Sequence, residues 1–373
     1  MSMSVRRAAA GVGLAAAIVV APAALAQYTN EPFFEWTVMQ SRAIGLELAA
    51  QRLRIVAALE PPYDEEFAEV VENLTGPDFE RFAGTLEAAD EDLAEQLYEM
   101  LDAIAEGVEE GEDIADLVPL GLEMLATAYD LVIPAELRDL PAFKGGVMAQ
   151  LLLGEGGVAE GLEEAFEEEW EFANGWAATQ RIKVLWADVA SLATDQQRAD
   201  IDEMIAIIDE IYPSPEPPET FAGIDPEEAE TPSQRIVGIL EVVLDSALYS
   251  GRDQVRLLSH LEDVAGPACE SYEAGDNALG REAMYAILDH YAGETTGLGD
   301  LIGLFAPEVH EEAMEALEQL VIVEGDDDDE GEEAGEGEGP VSDDDDEDDD
   351  MDAAGACNAL VEALGEARSV LGG

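Results

Sequence analysis

Two cysteines, three histidines and three clustered tryptophans are the side chains here that offer chemistry beyond charge. Cys269 and Cys357 are the only cysteines. An even pair in an exported chain reads as a disulfide, and the first 26 residues point to export. Cys357 falls on the apolar face of a C-terminal helix and Cys269 in a turn after Pro267. Their bond would pin the last helix back onto the body. Redox catalysis would call for a closer reactive pair such as Cys-x-x-Cys, which the sequence lacks.

His260, His290 and His310 each sit at helical spacing with apolar neighbours. If all three point inward they could meet at a metal, with Glu282 or Glu308 adding an oxygen ligand. No His-Glu-x-x-His spacing joins them, so separately hydrogen-bonded histidines are the plainer expectation. Trp170, Trp176 and Trp186 could line a groove for an apolar ligand. Large aromatics at helical spacing more often pack in a core.

Other motifs fall away on inspection. Gly154-Glu155-Gly156-Gly157 has no preceding strand and no Lys-Ser/Thr ending, so it predicts a helix break rather than a phosphate loop. Asp326, Asp328, Glu330 and Gly331 imitate the start of a calcium-binding loop, but the twelfth position is Gly337 where a bidentate Glu is required. With 87 acidic side chains in 373 residues, carboxylate proximity is guaranteed, and no general acid–base pair can be singled out. No catalytic residue and no cofactor are expected. Loose association of divalent cations with the acidic run is the most it predicts.

The charge itself is the largest signal. The 16 basic residues include only two lysines, Lys144 and Lys183, and the formal net charge is −71. The run 324–352 holds 19 acids and no base; without it and without the two arginines of the leader, 68 acids still face 14 bases. Acid is therefore spread over the whole body, as expected of a protein adapted to concentrated salt, where carboxylates hold water and keep the chain soluble. Nucleic acid is excluded as a partner, because phosphates would be repelled. An envelope protein is the expected partner, and the sequence leaves the oligomeric state open.

Residues 1–26 read as a secretory leader: Arg6-Arg7, then Ala8 to Val20 as a short apolar run, then Ala24-Leu25-Ala26 before Gln27. No later segment is a transmembrane candidate. The expected location is the periplasm or the medium of a bacterium from a saline environment.

The elements that must position all this are helices. Met39, Ala43, Leu46, Ala50, Leu53 and Ala57 step by four and three, the period of a bundle seam. Thr194 and Gln197 form a capping box ahead of Ile201, Met204, Ile205, Ile208 and Ile211 on one face. Ala356, Cys357, Leu360, Leu364, Ala367 and Leu371 give the last helix its apolar face. The expected fold is all-α, a multi-helix bundle in two subdomains, 27–212 and 233–323 plus 353–373. A Pro-rich linker at 213–232 separates them, and the acidic loop 324–352 precedes the C-terminal helix. The expected role is non-enzymatic binding or scaffolding in the cell envelope; the alternative is a periplasmic ligand- or metal-binding protein using the tryptophans or histidines.

Overall fold

The computed structural model describes residues 37–59, 61–63, 67–68, 71, 74–112, 114–154, 156–248, 254–292, 297–322 and 353–372. The leader, the acidic run and its calcium-like motif lie outside them. The described residues form an all-α, multi-helix fold, and no strand occurs among them. In chain order the helices are α1 Thr37–Ala58, α2 Pro77–Glu80, α3 Ala83–Ala89, α4 Glu91–Glu109, α5 Val118–Val132, α6 Ala135–Arg138, α7 Pro141–Leu153 and α8 Glu160–Glu163. They continue with α9 Glu171–Val189, α10 Asp195–Ile211, α11 Glu230–Leu244, α12 Gln254–Glu273, α13 Asn277–Tyr291, α14 Leu298–Phe305, α15 Pro307–Ile322 and α16 Ala353–Val370.

Local signals set several helix starts. Asp90 accepts the Leu93 N–H at the start of α4. Asp276 does the same for Leu279 at α13. The Thr194–Gln197 capping box is formed in both directions at α10, satisfying donors that a helix start leaves unpaired.

α1 is the spine. It packs against α2, α5, α7, α9 and α13, so it is covered on every side rather than along one seam. Ala43, Leu46, Ala50 and Leu53 are buried as the spacing predicts, but so are Gln40, Ser41, Glu47, Gln51 and Arg52. Most of these polar groups find partners. Arg52 Nε donates to Asp78 Oδ2 at 2.6 Å and Arg181 Nη2 to Glu47 Oε1 at 2.5 Å. The amides of Gln40 and Gln51 are buried with no hydrogen-bond partner within the chain.

The apolar core falls into two clusters, one built from residues between Ala43 and Leu248, the other from Leu257 to Ala367. The Pro-rich stretch 213–232 does not separate them. Phe221 packs on Phe166 and Phe172 with ring centroids 5.1 and 6.0 Å apart. α11, which follows it, packs on α7 and α10 within the first cluster. Prolines break helix periodicity without preventing aromatic anchors from docking, and the first cluster runs on past this stretch to Leu248.

In the second cluster α12, α15 and α16 pack together, with α13 against α12 and α15. Cys269 and Cys357 lie at disulfide distance, Cα–Cα 5.7 Å, joining α12 to α16. Cys269 is not in a turn, because α12 continues through Pro267 to Glu273. A proline inside a helix deletes one hydrogen bond, here to the Asp263 carbonyl. Asp263, Gly266 and Pro267 are all exposed, so water can take up the freed carbonyl. Ala356, Cys357, Leu360, Leu364 and Ala367 are buried on one face of α16, as expected.

Candidate functional site: the polar seam beneath α13

The two clusters meet where α13 lies across α1, α2 and α3. Close approach is made possible by Gly84: a Cβ there would stand 2.6 Å from the backbone at Ala278 and Leu279. One face of α13, with Arg281, Glu282, Tyr285 and Asp289 at helical spacing, meets the few positive charges of the opposite wall.

Glu282 is fully buried. Its Oε2 accepts from Arg42 Nε at 2.9 Å and Thr85 Oγ1 at 2.8 Å, and its Oε1 from the Thr85 backbone N–H at 2.6 Å. That N–H belongs to the first turn of α3, where helical donors lack partners of their own. Burial raises the Glu282 carboxyl above its usual range, and Arg42 and the Thr85 donors oppose that rise. Arg81 is also buried; its Nη2 donates to Asp289 Oδ1 at 3.1 Å and its Nη1 to the Pro77 carbonyl at 3.1 Å. The Arg81 guanidinium stands 4.9 Å over the Tyr285 ring, a cation–π geometry. Tyr285 in turn donates to Glu80 Oε2 at 2.8 Å, and Glu80 pairs with Arg281. Ser41 Oγ donates to Asp289 Oδ2 at 2.7 Å. Charge-assisted bonds of this kind are the strong ones, and they fix orientation.

Beside this network lies a cavity of about 300 Å³ between α1, α7, α8 and the end of α13, at the lower end of small-molecule sites. Gln40, Ile44 and His290 form its buried floor, and Glu164 and Ala292 are exposed at its mouth. Arg81, Asp289 and Glu160 also line it. The Gln40 amide is 1% exposed and lies over Gly146 of α7. A Cβ at position 146 would stand 1.9 Å from Gln40 Nε2, so glycine there makes room for the amide.

The residues expected to do chemistry are placed as follows. His290 is fully buried on α13, within electrostatic reach of His260 on α12. His310, on α15, stacks on Tyr291 with ring centroids 5.8 Å apart and its Nδ1 3.4 Å from the Tyr291 hydroxyl. Among the described residues no three His, Cys, Asp or Glu side chains are grouped to hold a metal ion. Glu282, considered above as an oxygen ligand, is held by Arg42 and Thr85.

The tryptophans are held separately. Trp170 packs on Phe67 at 5.0 Å between centroids. Trp186 is buried and donates from Nε1 to Asp202 at 2.8 Å. Trp176 is half-buried against the first cluster. None of them lines the seam cavity. Of the histidines, tryptophans and cysteines singled out in the sequence only His290 lines it, and Asp289 and Ser41 do not stand out among so many acids and small polar residues.

Burial pushes the His290 imidazole down to about 4; the Asp289 carboxylate opposes this and His260 adds to it. The unfolded chain would protonate this histidine near pH 6.5. Its stability contribution is therefore complete above pH ~6.5 and is lost as pH falls toward ~4, by roughly 3 kcal/mol in all. Urea midpoints at pH ~7, ~6 and ~5 should fall progressively, and His290→Gln should flatten that slope. An unchanged slope in the variant would place the acid sensitivity elsewhere.

Among the described residues no helix is long and apolar enough to cross a membrane. Comparison with protein-family models, with curated proteins and with solved structures found no match.

Proposed function

We propose that this chain is an exported, salt-adapted helical-bundle protein of the cell envelope that works by binding, with the cavity beside α13 as its ligand site. The observation that carries the reading is the cavity floor. There, Gln40, whose buried amide has no hydrogen-bond partner within the chain, lines a space of about 300 Å³ where the two clusters meet. Buried polar groups ordinarily have partners, and concave sites between packed bodies are where small ligands bind. A thermal-shift screen of small polar molecules against the full chain in ~1 M NaCl tests it. A ligand at a hundred times its Kd should add about 2.7 kcal/mol, and Gln40→Leu should lose the shift. A compound set that stabilises neither or both proteins alike would sink the reading.

The salt adaptation has its own support. Both lysines and eight arginines are engaged in ion pairs with carboxylates, so little positive charge remains to offset the acidic surface. Diluting NaCl from ~1 M to ~10 mM lengthens the Debye length about tenfold. Helical circular dichroism should then weaken as carboxylates repel one another. A signal unchanged across that range would remove the salt argument.

A further inference from the structure

We propose that the groove between α1 and α5 is a second binding site, one that takes a small monocarboxylate with a short hydrocarbon body and holds its carboxylate on Arg54. The site shares no lining residue with the seam cavity and is independent of it.

The groove encloses a cavity of about 390 Å³, within the range of small-molecule sites. Glu47, Ala50 and Arg54 of α1 and Leu122, Leu125 and Tyr129 of α5 recur at steps of three and four, so each set shares one helix face. Arg181 joins them from α9. Arg54 is the odd charge. It is half-buried, its Nη1 is sealed with no hydrogen-bond partner, and it enters no ion pair among the described residues. Glu47 and Asp130 line the same cavity, but Glu47 is held by Arg181 and Asp130 by Arg138. Three arginines therefore answer two carboxylates, and the surplus falls on Arg54. Burial lowers the Arg54 guanidinium from its usual value, with Glu47 opposing and Arg181 adding, so its charge is desolvated and only partly answered.

A guanidinium has five N–H donors and no acceptor, and it stays charged at neutral pH. What completes it is an anion with oxygen acceptors, and a carboxylate matches its fork. Tyr129 supplies another donor. Burial and Glu47 push its phenol up to about 12 against Arg181 and Arg138, so the hydroxyl keeps its proton. Leu46, Ala50, Leu122 and Leu125 add apolar surface that a hydrocarbon body gains by covering. A dianion such as phosphate brings more charge than one surplus arginine offsets, and nothing to cover that wall.

The test is calorimetric titration of the full, oxidised chain in ~1 M NaCl, where repulsion between an anion and the acidic surface is screened. The probes are butyrate, n-butanol, n-butylammonium and inorganic phosphate. Butyrate should bind about tenfold tighter than butanol or phosphate, with n-butylammonium weakest. Arg54→Met keeps an apolar stem and removes the charge; it should weaken butyrate about tenfold and leave butanol unchanged. Arg54→Lys keeps the charge without the fork and should lose about threefold. Tyr129→Phe removes one donor from an otherwise unchanged wall and should also lose about threefold.

Butanol or n-butylammonium binding as tightly as butyrate would overturn the inference. So would phosphate binding equally well, which would reduce the groove to an adventitious anion contact. A butyrate preference that survives both Arg54→Met and Tyr129→Phe, or is lost instead in Gln40→Leu, would place the guest elsewhere and overturn it too. No butyrate binding at all overturns it and leaves the seam cavity to its own screen.

Discussion

Glu282→Ala should destabilise the folded protein by about 3–5 kcal/mol, the usual penalty for removing one partner of a buried ion pair. The loss is large because three donors are orphaned together: the Arg42 guanidinium, the Thr85 hydroxyl and the Thr85 backbone N–H. Arg42 would remain in the seam with 13% of its side chain exposed, charged and short of its counter-ion. Urea unfolding at fixed NaCl measures the loss. Two further measurements separate this cause from simple loss of packing. Arg42→Met combined with Glu282→Leu should recover most of the stability, since apolar replacement of a whole buried pair is often neutral or better. The penalty for Glu282→Ala should also be nearly equal at ~0.5 and ~2 M NaCl, because a buried pair is weakly screened. A penalty below about 1 kcal/mol would mean that the seam aligns the clusters without holding them.

Losing the Cys269–Cys357 link should cost up to about 4–5 kcal/mol, the chain-entropy value for a crosslink with a sequence separation of 88. The terminal helix depends on that link more than most would. α16 packs on α12 and α15, while the run 324–352 before it holds 19 acids and no base. Cys269→Ser with Cys357→Ser should lower the urea midpoint and make α16 the first helix to exchange its amide protons. Repulsion within the acidic run grows as salt is removed, so the cost should be larger at low salt. Thiol titration of the unfolded, unreduced protein should find no free thiol; two free thiols would refute the link.

What the sequence reveals here depends on whether the cause is local. The capping box at Thr194, the apolar face of α10 and the Ala356-to-Ala367 face of α16 follow from spacing over one to four turns, and all are present. The cysteine pairing is legible because two cysteines allow only one bridge. α1 is legible only in part. Ala43, Leu46, Ala50 and Leu53 of its seam are buried as expected while Ala57 is exposed, and Ser41, Glu47 and Arg52 look like a solvated face until partners at Asp289, Arg181 and Asp78 are known. Those partners lie 26 to 248 residues away, beyond any periodicity. The cavity is the extreme case: Gln40, Gly146, Glu164 and Asp289 share no spacing, and glycine at 146 signals nothing until an amide is seen resting on it. Pro267 misleads in the opposite direction, since a helix that turns its proline toward water can run on.

The ion pairs that occupy the scarce basic residues also decide how the chain can be cut. At the ten paired positions a protease that needs a lysine or arginine in its specificity pocket must first pull that side chain from a carboxylate, and Arg42, Arg52, Arg81 and Arg281 are largely sealed in the fold as well. Between Cys269 and Cys357 the sequence contains one lysine or arginine, Arg281. A cut there would leave both pieces tied through the cysteine link, so the stretch from Leu257 to Arg368 would survive trypsin-like digestion as one covalent body.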